Sequence, residues 1–280
     1  MRPSNEVEYI EWCKSQLGYD YNDKRIQQFY LTNAGQARNS VERSDFFGHL
    51  GEYIKDCEEE YFQKTKAHLL MSSFPPDILQ KNYSSVVNKT FRLNVVWNRK
   101  FPEPPPSFGW IIPTNIFFIL DDIIRTTLIC KFIDGPKFLA EKLEGYSDSL
   151  GLKSSYQSRE IDVGYYAYHF NVIIPLELSD LNWEPMPVDL HFEIQLSTQL
   201  QEVLYQITHQ FYASTRDKIV EDRSAWKWDI ESNRFKAGYV SHTLHLLEAI
   251  ILQLRNDSIK ADTGTVEAAT AARKPEAEAE

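Results

Sequence analysis

Along the first third of the chain the apolar residues return every three to four positions. From Glu6 to Leu17, and again from Ser44 to Leu70, that spacing predicts amphipathic helices between polar turns. A further helix is expected from about Pro76 to Asn98, and Phe101 to Pro106 is too proline-rich to continue it. The period then changes. Ile123 to Phe132 reads as a short apolar strand, Asp134-Gly135-Pro136 as a turn, and Lys137 to Leu143 as a helix start. Two alternating runs follow, Gly164 to His169 and Asp189 to Thr198, with a loop expected at Glu177 to Pro187. Residues two apart on a strand share a face, so Tyr166, Tyr168 and Phe170 fall on one side and Tyr165, Ala167 and His169 on the other. In the second run Glu193 and Gln195 share a face with His191, while Phe192, Ile194 and Leu196 take the core side. Gln199 to Ser214 has a helical period, and Ala237 to Leu254 reads as a terminal helix. From Asp257 onward the chain is rich in Ala, Glu and Lys and lacks aromatics, which predicts a disordered tail. The pattern as a whole is α+β: a mixed β-sheet flanked by helices, with a helical region before it.

Length and charge narrow the possibilities. A chain of 280 residues suits one large domain or two small ones. The net charge of −10 argues against a broad electrostatic nucleic-acid footprint, though not against a local groove for phosphates. Cys13, Cys57 and Cys130 are far apart with no CxxC spacing, so neither a disulfide framework nor a zinc site is expected. Met1 to Lys24 is polar and unlike a signal peptide, and the longest apolar stretch, Trp110 to Leu120, is too short for a bilayer. A soluble, cytoplasmic protein with no membrane partner is the expectation.

Four groups of residues could carry chemistry. Lys81, Ser85, Lys89 and Arg92, spaced by four, four and three, would line one side of a helix. Three cations and a hydroxyl on one stripe suit a polyphosphate, or else a solvated basic face. Asp121-Asp122 stands at a strand entrance, where a carboxylate pair can help hold Mg²⁺ or simply end a turn; Glu193, on another strand, is a possible second ligand. Burying Glu193 on a half-apolar strand demands a partner. His209 on a helix, and His242 and His245 near the start of the last one, read as structural histidines. Trp226 and Trp228 read as packing residues. No glycine-rich phosphate loop and no nucleophile elbow is present.

Taken in order, these pieces resemble the synthetase domain of the RelA/SpoT pyrophosphokinases. The family's K-x-x-x-S-x-x-x-K-x-x-R stretch falls on Lys81, Ser85, Lys89 and Arg92, and its strand-opening aspartate on Asp122. G-Y-x-x-x-H falls on Gly164, Tyr165 and His169, then E-x-Q-x-x-T on Glu193, Gln195 and Thr198, with His209 in the next helix. The chain is most similar to the small single-domain members. The resemblance implies a nucleotidyltransferase-like domain over 74–256, after an N-terminal helical region at 1–73 and before a tail at 257–280.

It also implies transfer of pyrophosphate from ATP to the ribose 3′-hydroxyl of GDP or GTP. Lys81, Ser85, Lys89 and Arg92 would face ATP, and Asp122 and Glu193 would hold Mg²⁺ and carry catalysis. Tyr165, His169, Gln195, Thr198 and His209 would meet the acceptor. Departures fall mainly on the acceptor side. Leu79, Thr127 and Ser197 stand where the family usually has arginine, Arg125 where it has glycine, and Glu202 and Gln206 replace a histidine and a glutamate. They leave open a toxin-like relative that modifies tRNA 3′ ends or adenosine nucleotides, with an antitoxin partner, or an inert nucleotide-binding module. Arg125 or Arg159 would be the compensating cation. A homo-oligomer built on the terminal helices also fits.

Overall fold

The computed structural model describes residues 1–71, 76–161, 165–216 and 225–271, with the side chains of all of these except 160–161, 208–216, 225 and 262–271. Gly164 lies outside the described residues. The chain starts with α1 (Glu6–Trp12), which runs into a π-helical turn at Cys13–Leu17. Next come α2 (Lys24–Glu42) and α3 (Asp45–Thr65). Ser44 begins α3 as expected, its hydroxyl accepting the Phe47 N–H at 3.3 Å.

The sequence pattern did not predict α2. Its buried stripe is Ile26, Phe29, Tyr30, Asn33, Ala34, Ala37 and Val41, small and polar in its second half, so the apolar period fades. Asn33 is buried there because its amide exchanges hydrogen bonds with the backbone of Ser179, at 2.9 and 2.8 Å.

The expected helix over Pro76–Asn98 is shorter and begins later. Leu79–Gln80 forms β1 instead, and α4 spans Tyr83–Phe91 before a second π-helical turn at Arg92–Val96. A short α5 (Ile116–Ile119) leads to β2 (Ile124–Cys130) and α6 (Gly135–Ser149). Only glycine fits the start of α6: a Cβ at Gly135 would stand 2.7 Å from the Cys130 Cβ. The remaining elements are β3 (Ser154–Ile161), β4 (Tyr165–Ser179), β5 (Pro185–Thr198), α7 (Gln199–Arg216), a 3₁₀ turn at Ala225–Trp228 and α8 (Asn233–Ala271).

The five strands form one mixed sheet in the order β1-β2-β5-β4-β3, with β2 and β5 parallel and the other neighbours antiparallel. The α+β fold is therefore as expected. Several boundaries differ: α3, expected to reach Leu70, ends at Thr65, and α8 starts at Asn233 rather than Ala237. The loop expected at Glu177–Pro187 is mostly strand, with Ser179 paired to Pro185. The tail expected from Asp257 is helical to Ala271, as its alanine, glutamate and lysine content favours once α8 has nucleated.

Cross-strand register sorts the sheet into two faces. Ile124, Phe192 and Val172 lie side by side, as do Thr126, Ile194 and Phe170, and this face joins the main core with α2, α3 and α6. The opposite face carries Arg125 beside Glu193 and Asn171, then Thr127 beside Gln195, His169 and Gln157. Among the described residues no helix is long and apolar enough to cross a membrane.

Candidate active site

The polar face of the sheet holds two connected clusters. The first gathers on Asp121 and Asp122, in the turn that enters β2. Lys81 Nζ lies 2.7 Å from Asp122 Oδ2, and Lys89 Nζ lies 2.6 Å from Asp121 Oδ1 and 2.8 Å from Asp122 Oδ1. Arg159 Nη2, from β3, reaches Asp121 Oδ2 at 3.4 Å. Lys81 precedes α4 while Lys89 lies in its last turn, so the two do not share one helical stripe, yet their ammonium groups converge.

Charge sets the character of this cluster. Three cations meet two carboxylates, leaving a net charge of +1. Burial pushes the Asp122 carboxyl up, but Lys89 and Lys81 outweigh it and hold the group well below the usual carboxylate range. Asp121 is likewise lowered, burial being outweighed chiefly by Lys89. For Lys81 burial wins over Asp122 and lowers its pKa, whereas Asp122 and Asp121 more than offset burial at Lys89 and raise it. A positive, half-dry cluster with two pre-ionised carboxylates is suited to phosphate oxygens.

The second cluster runs across β4 and β5. Tyr165 Oη is 3.0 Å from His169 Nε2, His169 Nδ1 is 2.5 Å from Glu193 Oε1, and Gln195 Nε2 donates to Glu193 Oε2 at 2.8 Å. Burial raises the Tyr165 phenol, with Tyr205 and Glu193 adding to it, so the hydroxyl keeps its proton. The Glu193 carboxylate oxygen can only accept, so His169 Nδ1 donates to it. Glu193 is 2 % exposed, and this chain of donors answers the question its burial raised. Tyr165 also leans on Tyr205 of α7, ring centroids 5.8 Å apart at 59°.

The remaining expected site residues are scattered. Ser85 is half-buried in the first turn of α4. Arg92 falls in the π-helical turn, its guanidinium 5.1 Å over the Trp97 ring. Thr198 is buried and donates its hydroxyl to Glu248 of α8, which also accepts from Gln201 at 3.1 Å. The side chain of His209 lies outside the described residues. His242 and His245 clamp Tyr166, one by a 2.5 Å hydrogen bond and the other by stacking at 3.7 Å. Trp226 is buried against Ala237, but Trp228 is 87 % exposed, contrary to its expected packing role. The sequence reading had no strand over 154–161, and so no way to place Arg159. The signal was the weak alternation of Tyr156 toward the core.

No group of three or more His, Cys, Asp or Glu side chains that could hold a metal ion occurs among the described residues. Asp122 nevertheless fits Mg²⁺ by its hard, ionised carboxylate, because that ion needs only one or two carboxylates when phosphates supply other oxygens. Both Asp122 oxygens are now taken by lysines, so such an ion fits together with a polyphosphate rather than alone.

No protein-family model matches the sequence, and no curated protein matches it. Solved structures do match. Small alarmone synthetase 1 from Bacillus subtilis aligns over 85% of this chain and 100% of its own, with a TM-score of 0.50 and 16% identity. The same synthetase bound to its product pppGpp aligns over 84% of this chain and 98% of its own, again with a TM-score of 0.50 and 16% identity. The fold is that of the small alarmone synthetases. In this fold the two clusters of the present chain occupy one face of the shared sheet, reached from the turn before β2 and from strands β3, β4 and β5.

Proposed function

We propose that the protein is an ATP-dependent pyrophosphokinase that transfers pyrophosphate to the ribose 3′-hydroxyl of a guanine nucleotide, yielding a (p)ppGpp-type product. The observation that carries this reading is the pairing on one sheet face of a net-positive Lys81–Lys89–Arg159–Asp121–Asp122 cluster with the Tyr165–His169–Glu193–Gln195 chain. The likeness in fold to a synthetase solved with pppGpp supports it. Asp122 and Glu193 are the residues that would hold Mg²⁺, which when bound supplies charge neutralisation for the phosphates.

The chain's own residues have definable tasks. Lys81 and Lys89 exchange their carboxylates for ATP phosphate oxygens, a change of partner rather than of charge. Tyr165 stacks on the acceptor base, and His169 stands between it and Glu193. Glu193, aimed by His169 and Gln195, orients the 3′-hydroxyl and takes its proton. The 3′-oxygen bonds to the β-phosphorus, the bond from that phosphorus to the α,β-bridging oxygen breaks, and AMP leaves with the electron pair.

One feature favours a second acceptor. Thr127 and Ser197, where the resembled motifs carry arginine, put short hydroxyl side chains on or beside this face, which weakens the claim of a diphosphate and admits a tRNA 3′ end. An acceptor screen separates the readings. Labelled ATP and Mg²⁺ are incubated with GDP, GTP, ADP or bulk tRNA, and label in pppGpp or ppGpp is the expected result. Label in RNA alone would move the assignment to tRNA, and no labelled product would refute pyrophosphate transfer.

A further inference from the structure

Once Thr127 and Ser197 are recognised as short, the cations facing the acceptor half of the site must come from elsewhere. Two arginines stand on this face. Arg125 pairs in register with Glu193, and Arg159 pairs with Ala167 on the edge strand, on the same face as His169 and two residues along from Gln157. We propose that Arg159 is the acceptor-recognition residue, its guanidinium receiving the 5′-phosphate of the acceptor nucleotide; the assignment rests on the proposed transfer reaction.

Three observations lead there. The side-on edge of a guanidinium presents Nε and one Nη as a fork that matches two oxygens of a phosphate or carboxylate. In Arg159 that fork is underused: Nη2 makes a 3.4 Å contact with Asp121, and Nε is shielded from solvent with no hydrogen-bond partner. An unmet buried donor is costly, and a phosphate with its several oxygens would satisfy both nitrogens. Next, the contact with Asp121 is easily given up. Arg159 is 41% exposed, so such an ion pair is weak, and its loss costs at most about fivefold in affinity. Asp121 keeps Lys89 at 2.6 Å when Arg159 leaves. Finally, Arg159 is close to the acceptor half: Ile161, two residues further along β3, pairs with Tyr165, and the Arg159 charge is felt at the Tyr165 phenol. The residue therefore links the two halves of the site: Asp121 ties it to the lysine cluster, and its place on β3 sets it beside the strand that carries Tyr165 and His169.

The test is equilibrium binding of GDP and of guanosine, with a non-hydrolysable ATP analogue and Mg²⁺ present, to the wild type, Arg159→Ala and Arg159→Lys. Wild type is expected to bind GDP much more tightly than guanosine. Arg159→Ala should erase about tenfold to hundredfold of that preference, the range for a charge-assisted hydrogen bond, while guanosine affinity moves less than about twofold. Arg159→Lys should restore part of it, keeping the charge but not the fork. An unchanged GDP-to-guanosine ratio in Arg159→Ala would overturn the assignment, as would an equal loss for both ligands or a wild type that does not discriminate. A wild type that discriminates in binding but yields no labelled product in the acceptor screen would instead overturn the transfer reaction and leave Arg159 as a phosphate receptor.

Discussion

Replacing Asp122 by asparagine isolates the charge logic of the donor cluster. The substitution keeps shape but removes the carboxylate charge from Lys81 and Lys89 and leaves one acceptor oxygen where there were two. Lys89 still has Asp121, so the burden falls on Lys81, whose side chain is 13% exposed and for which burial already outweighs the carboxylate. Removing one partner of a buried pair costs roughly 3–5 kcal/mol, and the low end, about 3 kcal/mol, applies to a pair that water still touches. For a domain of this size about 1 kcal/mol shifts Tm by roughly 2–4 °C, so a drop of about 6–12 °C is expected at pH 7.

The sign with pH follows from Lys81. Its folded pKa is already depressed and falls further without Asp122, so the variant's folded state sheds a proton that the unfolded state keeps up to about pH 10.4. The variant therefore gains stability relative to wild type as pH rises from 7 toward 10, and the difference between them narrows. Differential scanning calorimetry across that range, with and without ATP, measures both effects. ATP should recover much of the loss by supplying oxygens to Lys81. A Tm within about 2 °C of wild type at pH 7, or a gap that widens with pH, would refute the reasoning.

Other expectations follow from the acceptor cluster. Glu193→Gln should lower kcat by about 10²- to 10⁴-fold while the fold persists, because glutamine keeps a hydrogen bond to His169 but cannot take a proton; a kcat near wild type in stopped assays would count against Glu193 as the base. Tyr165→Ala should raise the acceptor KM about tenfold or more and leave the ATP KM nearly unchanged, with Lys89→Ala showing the reverse split in steady-state kinetics. Equal effects of both on both substrates would mean the two clusters are misassigned. Glu248→Ala strands the Thr198 hydroxyl and the Gln201 amide in a buried place, and chemical denaturation should show a loss of about 1–3 kcal/mol.

Much of the acceptor half was legible because strand periodicity is short-ranged. The alternation put Tyr165 with His169 on one strand and Glu193 with Gln195 on another, and the antiparallel pairing of β4 with β5 brings the two pairs onto one face, across which their hydrogen bonds run. Proline misled the strand ends. Pro185 and Pro187 fall in the expected loop, yet they, like Pro175, sit where β4 and β5 extend beyond their outer neighbours: β3 pairs with β4 only as far as Val172, and β2 meets β5 only from Phe192. A proline there costs no hydrogen bond to a third strand. The donor half was legible in residue type but not in geometry, since Leu79 and Gln80 take tertiary pairing with β2 over local helix propensity. Arg159 was hidden by β3, whose Ser- and Gln-rich pattern becomes a strand only because β4 offers it a full ladder.

The grip of α8 on the site also has a consequence in time. Thr198 ends β5 and Tyr166 lies next to Tyr165, and both are fastened by side chains of the last helix, Glu248, His242 and His245. Glu248 lies 50 residues after Thr198. At a synthesis rate of about 5–20 residues per second, a ribosome reaches it roughly 3–10 s after the strand is made. Through that interval Lys81, Lys89 and their aspartates are already present in the nascent chain, while the β4–β5 wall waits for its last fastening, so the candidate site is completed late in the protein's own synthesis.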